Sequence, residues 1–280
     1  MVQKNILIFA ILILILSCDN RGKISNHKQD NIITIQADLE NTTIHEDRSA
    51  NYIDIVFNEL NLNKEDCYNE LLIEATLPYD EEKSVFVIPV IESQEGDFML
   101  FRAHIAVFDH ITQKITHKYE GKEEWASEGV YYLNYVEIDT TQYKLNSTST
   151  AFGIKTSHRG SSQANPSGSY SISLFIPKGE KLEKVLDNYT IFNFQGETNT
   201  ICEGLFETEE TILSISDEQT EGYNNIVASK TRKKTERVNI EDDCVENILD
   251  EKQEEEIIYF ENGEYKYRKP RNPMGEDIDS

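Results

Sequence analysis

The sequence predicts a mainly β protein: an antiparallel sandwich or irregular barrel with one short helix near its N-terminal side. Three observations predict it. From about residue 70 onward, apolar residues recur with a period of two. The runs that carry this period are rich in β-branched and aromatic residues, and polar turn sequences separate them. Only residues 49–60 show helical spacing, with Ile53, Val56, Phe57 and Leu60 three and four apart.

Each element follows in order. Ser49 is placed to cap the helix. Strands are predicted at 71–77, 84–91 and 98–108. The polar stretch 109–114 then leads into 115–119, so 98–119 reads as a hairpin. Further strands fall at 130–138, 150–156, 170–176, 189–194, 211–215 and 225–229. The last two, 257–260 and 264–268, flank Glu261-Asn262-Gly263, and the Asn-Gly pair suits a tight hairpin turn. No repeat of 20–50 residues is evident, which argues against a propeller. Many short strands joined by polar turns favour antiparallel sheets.

The N-terminus carries a different signal. Lys4 precedes an apolar run over 6–16, and Ser17 and Cys18 close it. A helix of that length rises about 17 Å, short of the roughly 30 Å hydrocarbon core, so the run reads as a secretory signal and not a span. Leu16-Ser17-Cys18 resembles the lipobox of bacterial lipoproteins, with Ile15 where that family favours Leu. The resemblance implies cleavage before Cys18 and acylation of its thiol by palmitate-type chains. It places the protein in the bacterial cell envelope, lipid-anchored and facing outside the cytoplasm. Two or three acyl chains give a stable anchor where one does not. The expected organisation is a signal peptide (1–17), the lipidated cysteine and a polar tether (18–48), a β-rich domain (49–268) and a flexible acidic tail (269–280).

Charge narrows the partners. The chain has 51 acidic and 27 basic residues, a net charge of −24. Removing 1–17 takes away Lys4 and no acid, so the mature value is −25. Such a surface repels nucleic-acid phosphates and anionic head groups. The membrane is therefore reached through the lipid, nucleic acid is not an expected partner, and a cationic protein is the partner the field favours.

Four cysteines are present: Cys18, Cys67, Cys202 and Cys244. With Cys18 acylated, three remain, and disulfides are allowed outside the cytoplasm. Cys202 and Cys244 lie in neighbouring strand-rich segments and are expected to pair. Three free buried thiols are the competing reading. No CxxC occurs, and no Cys/His set has zinc spacing.

The phrases at 138–145, 150–154, 160–166 and 173–176 resemble an uncharacterised group of bacterial envelope proteins. That likeness spans most of 50–270. It implies one extracytoplasmic β-rich unit and no activity.

The Gly/Ser-rich stretch 158–169 is the candidate binding loop. His158, Arg159, Ser161, Ser162 and Asn165 are its chemically capable members, and backbone amides beside Arg159 suit an anion. The bland reading is a long turn-rich connection between strands 150–156 and 170–176. No phosphate loop and no GxSxG elbow are present, so Ser161 or Ser162 with His158 makes a weak hydrolase case. His104 and His117 could meet across the 98–119 hairpin, but surface histidines are the simpler account. Residues 230–234, Lys-Thr-Arg-Lys-Lys, read as a basic island that neutralises nearby acids on an exposed hairpin. Trp125 reads as a core anchor. No catalytic residue, metal site or cofactor is assigned. The expectation is a membrane-anchored protein-binding module, for example a toxin-immunity protein. The alternative is a tethered hydrolase acting on envelope or imported polymers.

Overall fold

Alternating apolar residues build this molecule from strands that bury one or both faces. The computed structural model describes residues 49–77, 79–241 and 243–267. Cys18, the tether and the tail beyond 267 lie outside them. The helix α1 is Ser49–Leu60. Val56 and Phe57 are buried, and Ile53 and Leu60 pack beside them, as the three-four spacing dictates. Asn61 ends the helix in a left-handed conformation, φ 55°. The amides of Asn61 and Leu62 then bond back to the carbonyls of Asn58 (3.1 Å) and Phe57 (2.9 Å), which satisfies carbonyls the helix leaves open.

Twelve strands follow among the described residues: β1 (Ile73–Leu77), β2 (Asp80–Glu95), β3 (Phe98–Asp109), β4 (Lys114–Ser127), β5 (Tyr131–Lys144), β6 (Thr150–Gly160), β7 (Ser167–Lys178), β8 (Lys181–Thr198), β9 (Gly204–Thr220), β10 (Tyr223–Ile240), β11 (Asp243–Glu261) and β12 (Glu264–Lys266). Each corresponds to a strand read from the sequence. The neighbour order is β1-β2-β3-β4-β8-β9-β10-β11-β12, and the run β5-β6-β7 joins it at β8. Pairing is antiparallel throughout, except for one parallel contact of β4 with β8 at Lys118 and Lys181. The sheet does not close into a barrel, because β1 pairs with β2 alone. A sandwich-like packing stands instead. Val85, Val87, Ile105 and Val107 of β2 and β3 share one core with Val136, Ile138, Phe152 and Phe175 of β5, β6 and β7.

β2 and β3 are buried on both faces. Their other face, Phe86, Ile88, Ala106 and Phe108, packs under α1 together with Cys67. Phe86 and Phe108 meet edge to face at 6.0 Å, a geometry aromatic pairs favour. Burial pushes the Cys67 thiol up to about 11, so it is a protonated core group. A third cluster joins Ile172, Leu174, Leu186 and Tyr189 of β7 and β8 to Ile226, Ala228 and Ile258 of β10 and β11. Trp125 is buried in the first core, as expected of an anchor.

A bulge fastens β4 to β8. Gly121 lies opposite Ala103 and Trp125 opposite Phe101, so three residues loop out, with Glu123 at φ 48°. The bulge aims the Glu124 carboxylate at Lys184 of β8, 2.7 Å away, and the Tyr119 hydroxyl donates to it at 2.8 Å. Burial disfavours the Lys184 charge, but Glu124 and Asp187 outweigh that and hold its pKa above the usual lysine range. A Cβ on Gly121 would stand 2.1 Å from that carboxylate, so only glycine leaves room for the pair.

A second buried carboxylate holds the β5 bulge. Asp139 lies 3.3 Å from the Lys155 ammonium, and its oxygens accept from Tyr143 Oη (2.8 Å) and the Thr141 amide (2.9 Å). Burial alone would raise its pKa. Lys155 and these hydrogen bonds reverse the sign and hold it below the usual aspartate value.

Two predictions rest on these contacts. Phe86→Ala removes a fully buried ring and should cost about 3–5 kcal/mol in denaturant unfolding. It should also let a thiol reagent reach Cys67, which is buried in the native protein and should resist modification there. The Asp139 contribution is complete above about pH 4 and is lost as pH falls through the depressed folded value. Asp139→Asn should therefore lower stability at pH 7 by about 1–3 kcal/mol and flatten the loss of stability on acidification, as read by unfolding curves between pH 7 and 3.

Candidate docking surface

Polar strands extend the sheet beyond its cores. β9 pairs with β8 only over Gly204–Glu210 opposite Phe192–Thr198. β10 pairs with β9 on one side and with β11 on the other. The result is a long three-stranded ribbon. β11 is exposed from Asp243 to Glu255. Its outer edge is paired, among the described residues, only where β12 meets Tyr259–Glu261.

The basic island 230–234 lies in β10, between two acidic strands. Lys230 pairs with Glu256 (2.7 Å), Arg232 with Glu209 and with Glu254 (2.8 Å), and Lys234 with Glu207 (3.1 Å). Lys233 lies 3.7 Å from Glu251, and Arg237 lies 2.9 Å from Glu246. An exposed pair of this kind is worth about 0–1 kcal/mol. Their joint effect is register, because a one-residue slip of β10 sets each cation against the wrong face. The island neutralises acids as the sequence suggested.

At the tip, Cys202 and Cys244 form a disulfide with Cα atoms 5.6 Å apart. It ties the start of β11 to the bend before β9, across β10. The expected pairing is therefore present, and Cys67 is the free cysteine among the described residues. Beside it lies an apolar group. Val238 and Val245 sit opposite each other, and Leu205 and Ile240 share their face by register. Ile201 is 85% exposed, Ile240 51% and Leu205 46%. Exposed aliphatic side chains gathered at one end of a ribbon mark a contact surface better than scattered ones do.

The opposite face of the sheet carries a row of half-buried rings. Tyr135 of β5 lies 5.7 Å from Tyr170 of β7, which lies 5.5 Å from Phe192 of β8. Phe192 and Phe194 are 6.0 Å apart. The row reaches Phe206 of β9, over which the Arg237 guanidinium sits at 4.7 Å.

The sequence-derived loop is shorter than expected. Its ends belong to strands: His158, Arg159 and Gly160 finish β6, and Ser167 begins β7. Alternation fails to reveal this because Ser, Gly and Arg do not pattern. Residues 161–166 remain as the loop. His158 is stacked on Tyr131 at 5.6 Å, and its Nε2 lies 3.0 Å from the Ala126 carbonyl oxygen. Burial holds its pKa below the usual histidine value. Arg159 is exposed, opposite Tyr132 and Gly168. The Ser161 amide donates to Val130 (3.0 Å), and Ser162 Oγ accepts from the Asn165 amide (3.0 Å). Pro166 and Ala164 carbonyls accept from Gly196 and Thr198 of β8, each at 2.9 Å. The loop thus continues the sheet beside the end of β8. It brings Asn165 to an open trough of about 330 Å³ with Gln195, Glu207 and Lys234. A neighbouring trough of about 650 Å³ is lined by Glu197, Asn199, Glu203, Leu205, Glu236 and Arg237. His158 Nε2 faces the Ala126 carbonyl, so that nitrogen donates and is not a base for Ser161 or Ser162.

His104 and His117 do not meet. His104 lies opposite Glu120 and is buried, and His117 lies opposite Val107. The register therefore sets the residue facing His104 three positions beyond His117. No group of three or more metal-capable side chains occurs among the described residues.

Compared with protein-family models, curated proteins and solved structures, the chain matches none.

The disulfide closes a separation of 42 residues. Cys202→Ser with Cys244→Ser should lower stability by about 4 kcal/mol on the chain-entropy account. Hydrogen exchange should locate the loss, with protection falling in 204–210 and 235–250 and persisting in β2 and β3.

Proposed function

We propose that this chain is a lipid-anchored, extracytoplasmic protein-binding module whose contact surface is the β9–β11 ribbon. One observation carries the reading: the ribbon projects an apolar tip, braced by a disulfide and bordered by charge, away from the buried cores. Apolar anchors inside a polar border are how protein interfaces concentrate affinity. The half-buried rings from Tyr135 to Phe206 widen the surface on the other face. The open troughs at 165 and 197–207 add polar and acidic groups beside the tip, and Leu205 lines both. The net charge of −24 favours encounter with a cationic protein. Attachment comes from Cys18 and its lipobox-like flank, and the tether lets the ribbon reach a partner near the membrane.

Two measurements test this. Cys18→Ala should move the protein from the membrane to the soluble fraction or leave the signal uncut; an unchanged mature mass without lipid on Cys18 sinks the anchor. A photo-crosslinking residue at Leu205 should give a protein adduct in intact cells, weakened at high salt. The same residue at Asn58 of α1 should give none. Equal labelling from both positions, or none from Leu205, removes the ribbon as the contact surface.

A further inference from the structure

We infer that the outer edge of β11, over 243–258, takes up an extended basic segment of a partner protein as an added antiparallel strand. The inference rests on the protein-binding reading and deepens it.

Main-chain geometry comes first. A strand edge presents a row of N–H and C=O groups that seek partners. β11 is 19 residues long and is exposed from Asp243 to Glu255. β12 demonstrates that this edge accepts an antiparallel neighbour, because Glu264–Lys266 pairs there with Tyr259–Glu261. Among the described residues, no strand continues that pairing toward Asp243.

Side-chain chemistry selects the occupant. β11 carries eight acids and one base, Lys252. A second copy of the same edge would set acid against acid, which opposes self-pairing. The inner edge of β11 already displays the matching chemistry. There β10 presents Lys230, Arg232, Lys233 and Arg237, which pair with Glu256, Glu254, Glu251 and Glu246. The outer edge offers the same acidic strand to a neighbour. A segment with Lys or Arg at alternating and adjacent positions, separated by Thr or Ser, would repeat the β10 contacts on the other side. Strand addition gives affinity through the main chain and selectivity through the side chains.

The probe is a labelled peptide with the sequence of residues 229–237, Ser-Lys-Thr-Arg-Lys-Lys-Thr-Glu-Arg, titrated against the full chain with its disulfide intact. Binding is expected, with affinity falling as salt rises. Methylating alternate backbone nitrogens of the peptide removes main-chain donors and keeps its charge, and should weaken binding at least tenfold. Glu251→Lys with Glu255→Lys in the protein should weaken it at least tenfold, while Glu65→Lys with Glu70→Lys, outside the strands, should not. Hydrogen exchange should show new protection in 243–258 and unchanged protection in β10. Three results overturn the inference: no binding, equal binding of the methylated peptide, or loss of protection in β10, which means strand exchange and not addition. If the peptide fails while a Leu205 crosslink to a protein persists, strand addition falls and the protein-binding reading stands.

Discussion

Every part of the sheet reaches the rest through β8. Backbone groups removed from water need partners, and β8 supplies them in three directions. It pairs with β7 along most of its length, with β9 over its last seven residues, and with β4 at one parallel contact. That parallel contact is brief, and the Glu124–Lys184 pair secures the same junction with side chains. The pair is partly buried, so breaking it leaves one charge poorly solvated and costs more than the roughly 0–1 kcal/mol of an exposed pair. The bulge at 122–124 and the glycine at 121 exist in this geometry to deliver Glu124 there. Where β8 passes beyond β7, the 161–166 loop supplies carbonyls to Gly196 and Thr198. The ribbon therefore grows from a strand whose main chain is satisfied on both sides.

How much of this was legible follows from what each residue buries. The helix read true to its ends, because Val56 and Phe57 must face the sheet and Asn61 stops the turn. The twelve strands were legible where one face is apolar, as in 84–91 and 98–108. Their lengths were not. Residues 204–210, 230–240 and 243–256 are strands rich in Glu, Lys, Arg and Thr with little buried surface. They pair because opposite charges face each other across strands, a pattern visible only once the register is known. The same reason hid the candidate docking surface. The candidate loop was half strand, since Ser and Gly at 157–160 and 167–169 carry no alternation. The disulfide was legible from position, whereas the row from Tyr135 to Phe206 needed five strands aligned before it became a row.

The acidic excess acts differently at different places. In the core, Asp139 and Glu124 are each held by one lysine and by hydroxyl or amide donors, and they fix bulges. On the ribbon, glutamates are matched across strands to β10 in pairs that are half-buried to exposed, and the exposed ones are individually weak. Buried pairs therefore set local shape, while the ribbon ladder sets register. Screening separates the two. Salt weakens exposed pairs within a Debye length of about 8 Å at physiological strength and leaves buried ones largely unaffected.

An exposed edge of this length is ordinarily an aggregation hazard. β11 avoids it by composition: acids crowd the strand, so identical edges repel. Repulsion of like and attraction of unlike are one property of the same side chains. The charge that keeps two copies apart leaves only oppositely charged strands as stable neighbours, and β10 already occupies one side on those terms. Under the proposed docking, the exposed tip residues Ile240 and Leu205 would add contact area without selectivity, because apolar burial is non-directional. On the strand-addition proposal, the carboxylates of β11 would supply selectivity, the main chain affinity, and the tip additional contact area.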